Sequence, residues 1–177
     1  MRITGGILCG RQIKVPPGSI RPAMDRMRES VFAVLGDISG LSFLDIFSGS
    51  GIIALEAASR GAKYIEAVEM DPQKRKILLE NVKISPEKVN CRFMPAELYV
   101  KRAKRSFDII FCDPPFPYKY KKELISSIAS SPIMDKGSRL LLHRPREDLF
   151  EIPGTNLTLQ ETREYGRSFV DFFSFLP

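Results

Sequence analysis

From residue 42 onward the chain alternates short apolar runs with segments of helical period, and no other feature restricts its fold as much. The runs SFLDIFS (42–48), YIEAVEM (64–70), NCRFM (90–94), FDIIFCD (107–113) and SRLLLH (138–143) read as strands. Between them GIIALEAASRG, DPQKRKILLENVKIS, PAELYVKRA and YKKELISSIASS read as helices, the second with Ile77, Leu78, Val82 and Ile84 on one stripe. Strand and helix repeated in this way imply an α/β fold, a parallel sheet with helices on both faces. Its ligands belong at the carboxyl ends of the strands, where Asp45 to Gly51 and Asp113 to Phe116 would both lie. Near the end of the chain, VDFFSF (170–175) reads as a strand and LTLQETREYG (157–166) as its antiparallel partner, with Gly166 in the turn.

Residues 1 to 36 stand apart from this rhythm. Residues 2 to 15 hold short β-like pieces interrupted by Gly5, Gly6 and Gly10. Pro16, Pro17 and Gly18 form a linker, and RPAMDRMRESVFAVLG then sets Met24, Met27, Val31, Phe32 and Leu35 at helical spacing. The expected organisation is a basic extension, 1–36, packed on a core domain, 37–177. The extension carries Arg2, Arg11, Lys14, Arg21, Arg26 and Arg28 against Asp25 and Glu29, which is +4 of the chain's net +6. Charge concentrated in this way suits a polyanion, and Arg2, Arg11, Lys14, Arg21 and Arg26 are expected to meet phosphates.

Several classes are poorly matched. Nothing resembles a signal peptide or a membrane span, so the expectation is a cytoplasmic protein, and nothing demands more than a monomer. Cys9, Cys91 and Cys112 form no CxxC pair, and the single histidine, His143, completes no zinc site with them at a usual spacing. Neither a disulfide nor a metal is expected.

Two short segments carry the chemistry. In LDIFSGSGIIALEAASRGA the chain leaves a strand through Gly49-Ser50-Gly51 and begins a helix, whose free N–H groups face a ligand. Gly49, Gly51 and Ala54 fit the dinucleotide pattern G-x-G-x-x-A, and Glu69 stands twenty residues beyond Gly49, placed to bind ribose hydroxyls. A nicotinamide dehydrogenase is therefore a competitor. It would need a proton carrier and a cation that orients substrate, yet His143 sits beside Arg144 on a strand read as largely buried.

The second segment is FDIIFCDPPFPY, 107–118. Prolines do not continue a central strand, so the strand must stop at Asp113, and Pro114 and Pro115 stiffen the loop beyond it. Asp113-Pro114-Pro115-Phe116, in register with the glycine loop, resembles the signature of amino-group methyltransferases that use S-adenosylmethionine. With MRITGG, GRQIKVPPG, IRPAMDRMRESVFAVL, VEMD and REYGRSFVDFF added, nearly the whole chain is similar to the bacterial 16S ribosomal RNA guanine-N2 methyltransferases, the RsmD family.

That resemblance implies a Rossmann-like class I methyltransferase with a mostly parallel seven-stranded sheet and a short N-terminal β/α extension. It also implies one methyl transferred from S-adenosylmethionine to the exocyclic amine of a guanine in small-subunit RNA. By the same resemblance, Asp45 and the backbone from Ser48 through Gly49 and Ser50 to Gly51 face the methionine portion. Glu69 holds the ribose and Met70 packs on adenine. Where relatives carry a polar residue after the third strand this chain has Pro95-Ala96, so adenine recognition falls to Ala96 and Glu97.

Asp113 and the Pro114 carbonyl would accept hydrogen bonds from the amine, with Pro115 stiffening the loop and Phe116 stacking on the base. Tyr118 and Tyr120, interleaved with Lys119 and Lys121, suit contacts to unpaired bases beside phosphates. The helix from Met24 is expected to cover the cofactor cleft. The alternatives are an adenine-N6 or protein-glutamine methyltransferase, which usually carries Asn in place of Asp113, and a catalytically silent RNA-binding relative.

Overall fold

The computed structural model describes residues 1–15, 23–148, 151–152 and 154–176. Arg21 and the Pro16-Pro17-Gly18 linker lie outside the described residues. The alternation seen in the sequence becomes β1 (Ser42–Ile46), α2 (Ile52–Ser59), β2 (Tyr64–Val68), α3 (Pro72–Asn81), β3 (Val89–Arg92), α4 (Ala96–Arg102), β4 (Ile109–Cys112), α5 (Lys121–Ala129) and β5 (Arg139–Pro145). The hairpin of β6 (Leu157–Tyr165) and β7 (Ser168–Phe175) ends the fold, and α1 (Ala23–Leu35) precedes it.

One seven-stranded sheet runs β3-β2-β1-β4-β5-β7-β6, with the first five strands parallel and β7 antiparallel to both of its neighbours. The succession reverses between β1 and β4, the switch point at which a parallel sheet opens a crevice. The fold is Rossmann-like, of the class I methyltransferase type.

Why these residues form a central sheet is visible in their burial. Along β4, Ile109 and Phe111 join the cluster on one face, while Ile110 and Cys112 join the cluster on the other. In β1, Phe43 and Leu44 divide in the same manner. Strands buried on both faces have no polar alternation, which is why they read as unbroken apolar runs. β5 runs two residues past His143, because Arg144 and Pro145 pair with Phe169 and Ser168 of β7. The helical stripe extended to Ile84 breaks earlier: α3 stops at Asn81 and gives way to a 3₁₀ turn, Val82–Ile84.

The N-terminal segment docks on α2 through a buried carboxylate. Glu56 accepts hydrogen bonds from the Thr4 N–H and hydroxyl, both at 2.8 Å, and from Arg28 Nε at 3.0 Å, and it pairs with Arg60. Arg28, grouped with the basic face in the sequence, is wholly buried and also donates to the Arg2 carbonyl and to Asp25. The Ile7 N–H donates to the Ser59 carbonyl at 2.9 Å, and a Cβ on Gly6 would fall 1.9 Å from that oxygen, so only glycine permits the approach. Arg2 and Gln12 form an isolated antiparallel bridge, the remnant of the β-like pieces.

Further along, Asn81 donates to the carbonyls of Lys14 and Ser50, both at 2.8 Å, and accepts from the Lys14 N–H at 3.0 Å. One side chain thus ties the extension to the glycine loop.

Candidate active site

At the carboxyl ends of β1, β2 and β4 the chain leaves a cavity of about 780 Å³, lined by the glycine loop, Glu69 to Pro72, Glu97, residues 113 to 118 and His143. Each wall has a local cause. β1 turns out at Phe47, whose φ of 66° is a costly conformation for a residue with a side chain. Gly51 closes the turn by donating to the Ser48 carbonyl at 2.8 Å and caps α2 with φ 83°. Its missing Cβ would sit 2.6 Å from Leu78 Cδ1, so α3 packs against bare backbone here.

The electrostatics of this cavity are acidic. Asp45 is buried on the glycine-loop side, accepting from the Ser48 hydroxyl at 2.8 Å and the Ala54 N–H at 3.2 Å. Burial pushes its pKa up from 3.8 to about 7, with the neighbouring charges of Asp113 and Glu69 adding to the rise and the Ser48 and Ala54 bonds opposing it. Glu69 accepts from the N–H groups of Gly49 and Asp71, both at 2.8 Å, and Lys74 stands 3.9 Å away. Asp71 and Glu97 complete a rim in which Lys74 is the one lysine or arginine among the described lining residues.

The opposite wall is the rigid loop expected from the two prolines. The Asp113 N–H donates to the Ile46 carbonyl at 3.1 Å, which extends the β1–β4 register by one step and sets Asp113 beside the start of the glycine loop. Pro114 is buried and Pro115 exposed, while Phe116 is partly buried with its ring 5.7 Å from that of His143, edge to face. Lys121, read as a surface cation, is instead buried: its ammonium donates to the carbonyls of Phe116 and Tyr118 at 2.8 Å and pairs with Asp148 at 2.9 Å. It therefore fixes the loop and does not serve as an exposed phosphate contact. Tyr118 packs edge-on against Phe47, with centroids 5.4 Å apart, and its phenol donates to Glu97. Burial and that bond hold the phenol proton on well past the usual tyrosine range.

The residues singled out from the sequence are therefore largely gathered together. Asp45, Ser48, Gly49, Ser50, Glu69, Met70, Glu97 and Asp113 to Phe116 all line the cavity, as does Tyr118. Gly51 and Ala96 sit behind it, the one capping α2 and the other buried at the start of α4. Met70 is 58% exposed, an apolar side chain open to a ligand.

The N-terminal cations are more dispersed. Arg2 pairs with Asp25 and Lys14 with Glu80, whereas Arg11 and Arg26 are exposed with no ion pair among the described residues. Lys119 is exposed beside Phe116 and Tyr118. No described side chain of the helix expected to cover the cleft lines it: α1 packs in the core with α2, and its Ser30 bonds to Tyr165 and Arg163 of β6. Among the described residues of this segment, Met1 reaches the cavity.

One site residue was missed. His143 Nδ1 lies 2.7 Å from Asp113 Oδ1. The signal was present, since both residues directly follow the apolar runs of neighbouring parallel strands, where Cys112 pairs with Leu142.

An acidic cavity with an open glycine turn suits a ligand bearing positive charge and a ribose diol, and would repel the pyrophosphate of a dinucleotide. The donor set thus fits S-adenosylmethionine, whose sulfonium and ammonium outweigh its one carboxylate. Comparison with known proteins agrees with the chemistry. A family model described as "Conserved hypothetical protein 95" matches residues 1–174. The ribosomal RNA small subunit methyltransferase D of Haemophilus influenzae is 29% identical, covering 94% of this chain and 89% of its own. The protein of the same name in Escherichia coli K12 is 36% identical over 71% of this chain and 65% of its own. The solved structure of the E. coli protein described as "Putative methyltransferase yhhF" superposes with a TM-score of 0.89 at 28% identity, covering 99% of this chain and 97% of that one.

Proposed function

The chain belongs to the conserved hypothetical protein 95 family, that of the RsmD methyltransferases, and on that premise we propose that it methylates the exocyclic N2 amine of one guanine in 16S ribosomal RNA. Its substrate would be the small ribosomal subunit or an assembly intermediate. The observation that carries this reading is the placement of Asp113-Pro114-Pro115-Phe116 across an acidic cavity from the glycine loop.

S-adenosylmethionine, when bound, supplies an electrophilic methyl group. Glu69 would hold its ribose, Met70 would pack on its adenine, and Asp45 with the backbone of Ser48 to Gly51 would face its methionine portion, with Ala96 and Glu97 near the adenine amine.

The residues of the chain then have to make a poor nucleophile react. An exocyclic guanine amine has its lone pair delocalised into the ring, so holding both N–H groups out of that plane favours a pyramidal nitrogen. The Asp113 carboxylate and Pro114 carbonyl accept those two hydrogen bonds, and the stiffness of Pro115 and Lys121 keeps the acceptors in place. Phe116 stacks on the base, a contact worth about 1–3 kcal/mol. Asp113 accepts the proton that the nitrogen sheds once methylated. Arg11, Arg26, Lys119 and, beyond their present partners, Arg2 and Lys14 would contact phosphates, a contribution that weakens steeply with salt.

The test is incubation of the protein and its Asp113→Ala variant with labelled S-adenosylmethionine and either protein-free 16S RNA or unmethylated small subunits, followed by nucleoside analysis by mass. N2-methylguanosine from the wild type alone is expected. N6-methyladenosine, label in protein, or full activity in the variant would each overturn the reading.

A further inference from the structure

Histidine is an expensive residue where position 143 stands. It follows Leu140, Leu141 and Leu142 in a central strand and is buried, and its Nε2 has no partner among the described residues. A buried polar atom left unbonded costs about 1–3 kcal/mol, which a leucine in the same run would avoid. The opposite ring nitrogen explains what is gained. Nδ1 lies 2.7 Å from Asp113 Oδ1, and a carboxylate can only accept, so the hydrogen-bond network assigns a proton to Nδ1.

This is the one hydrogen bond made by the Asp113 side chain among the described residues, and the side chain remains partly open toward the cavity. His143 itself lines that cavity, and the edge-to-face contact with Phe116 joins the same ring to a second member of the loop.

We propose that His143 is a positioning residue for methyl transfer. By donating from Nδ1 to Oδ1 it fixes the rotation of the Asp113 carboxylate, so that Oδ2 alone is presented to the acceptor amine. In the transfer the amine lone pair forms the new N–C bond and the pair of the breaking C–S bond stays on sulfur. The surplus amine proton passes to Oδ2, and His143 keeps its own proton throughout. The inference rests on the role given above to Asp113. It adds that a free carboxylate is insufficient and that its orientation is held from β5.

Three substitutions separate this role from simple core packing. His143→Asn places an amide N–H where Nδ1 stands, His143→Gln reaches instead toward the place of Nε2, and His143→Leu keeps the burial without the bond. Single-turnover methylation of small subunits, S-adenosylmethionine binding by calorimetry, and urea unfolding would be measured for each, with Asp113→Ala alongside. The rate of the Leu and Gln variants should fall on the order of ten- to a hundredfold, as expected for a misplaced acceptor, with cofactor affinity unchanged. The Asn variant should recover most of the rate. Equal rates for Asn and Gln, or a wild-type rate for Leu, would overturn the proposal even if Asp113→Ala is inactive. A fully active Asp113→Ala would instead remove the functional reading on which it rests.

Discussion

Replacing Asp45 by Asn should stabilise the cofactor-free protein at neutral and alkaline pH. The folded protein holds the Asp45 proton to about pH 7, whereas the unfolded chain releases it near 3.8. A carboxyl with a raised folded pKa contributes its full stability below the unfolded value and loses it as pH rises through the folded one. The whole interval corresponds to about 4 kcal/mol, of which about 3 kcal/mol falls between pH 5 and pH 8. Asparagine keeps an oxygen to accept from Ser48 and Ala54 and has no charge to desolvate. Urea unfolding at pH 5 and pH 8 without S-adenosylmethionine, for both proteins, isolates this contribution because every other titrating group is common to them. The wild type should lose about 3 kcal/mol more than the variant over that range. Parallel losses would refute the reasoning, since they would mean that Asp45 is already charged at pH 5 in the folded state.

Two further outcomes concern the buried network and the glycine turn. Glu56→Gln removes the charge that faces Arg28 and Arg60, leaves a buried guanidinium under-compensated, and should lower stability by about 3 kcal/mol in urea titrations. Gly51→Ala sets a methyl against Leu78 at a φ of 83°, so unfolding should be easier by about 1–3 kcal/mol, and calorimetry should show weaker cofactor binding.

The parts of the fold legible in the sequence are those fixed by local pattern. β1, β4 and β5 were recognisable because strands covered on both faces are largely apolar, and the β6–β7 hairpin because Gly166 supplies the turn. The glycine loop and the Asp-Pro-Pro-Phe segment announced themselves because their chemistry restricts residue type. What escaped were partnerships between distant side chains. Glu56 drew no notice in the sequence, yet it receives Thr4 and Arg28 from 52 and 28 positions away. The burial of Lys121 depends on loop carbonyls that no periodicity reveals. Likewise α1 was correctly read as amphipathic, but an apolar stripe does not say which surface receives it, and its described apolar residues pack with α2.

The Asn81 link has a consequence for how the chain is made. Residues 1–15 leave the ribosome before their anchors, Glu56, Ser59 and Asn81, which are synthesised as much as 67 positions later. Until those anchors emerge and pack, a cationic tail without a docking place trails from the nascent chain, next to the RNA-rich machine that is producing it. Folding of the first half of the domain is therefore also the event that gives this cationic segment a fixed place and a fixed spacing of charge. Because Asn81 grips Lys14 and Ser50 together, the docked segment and the glycine loop share one anchor, and losing it would loosen both.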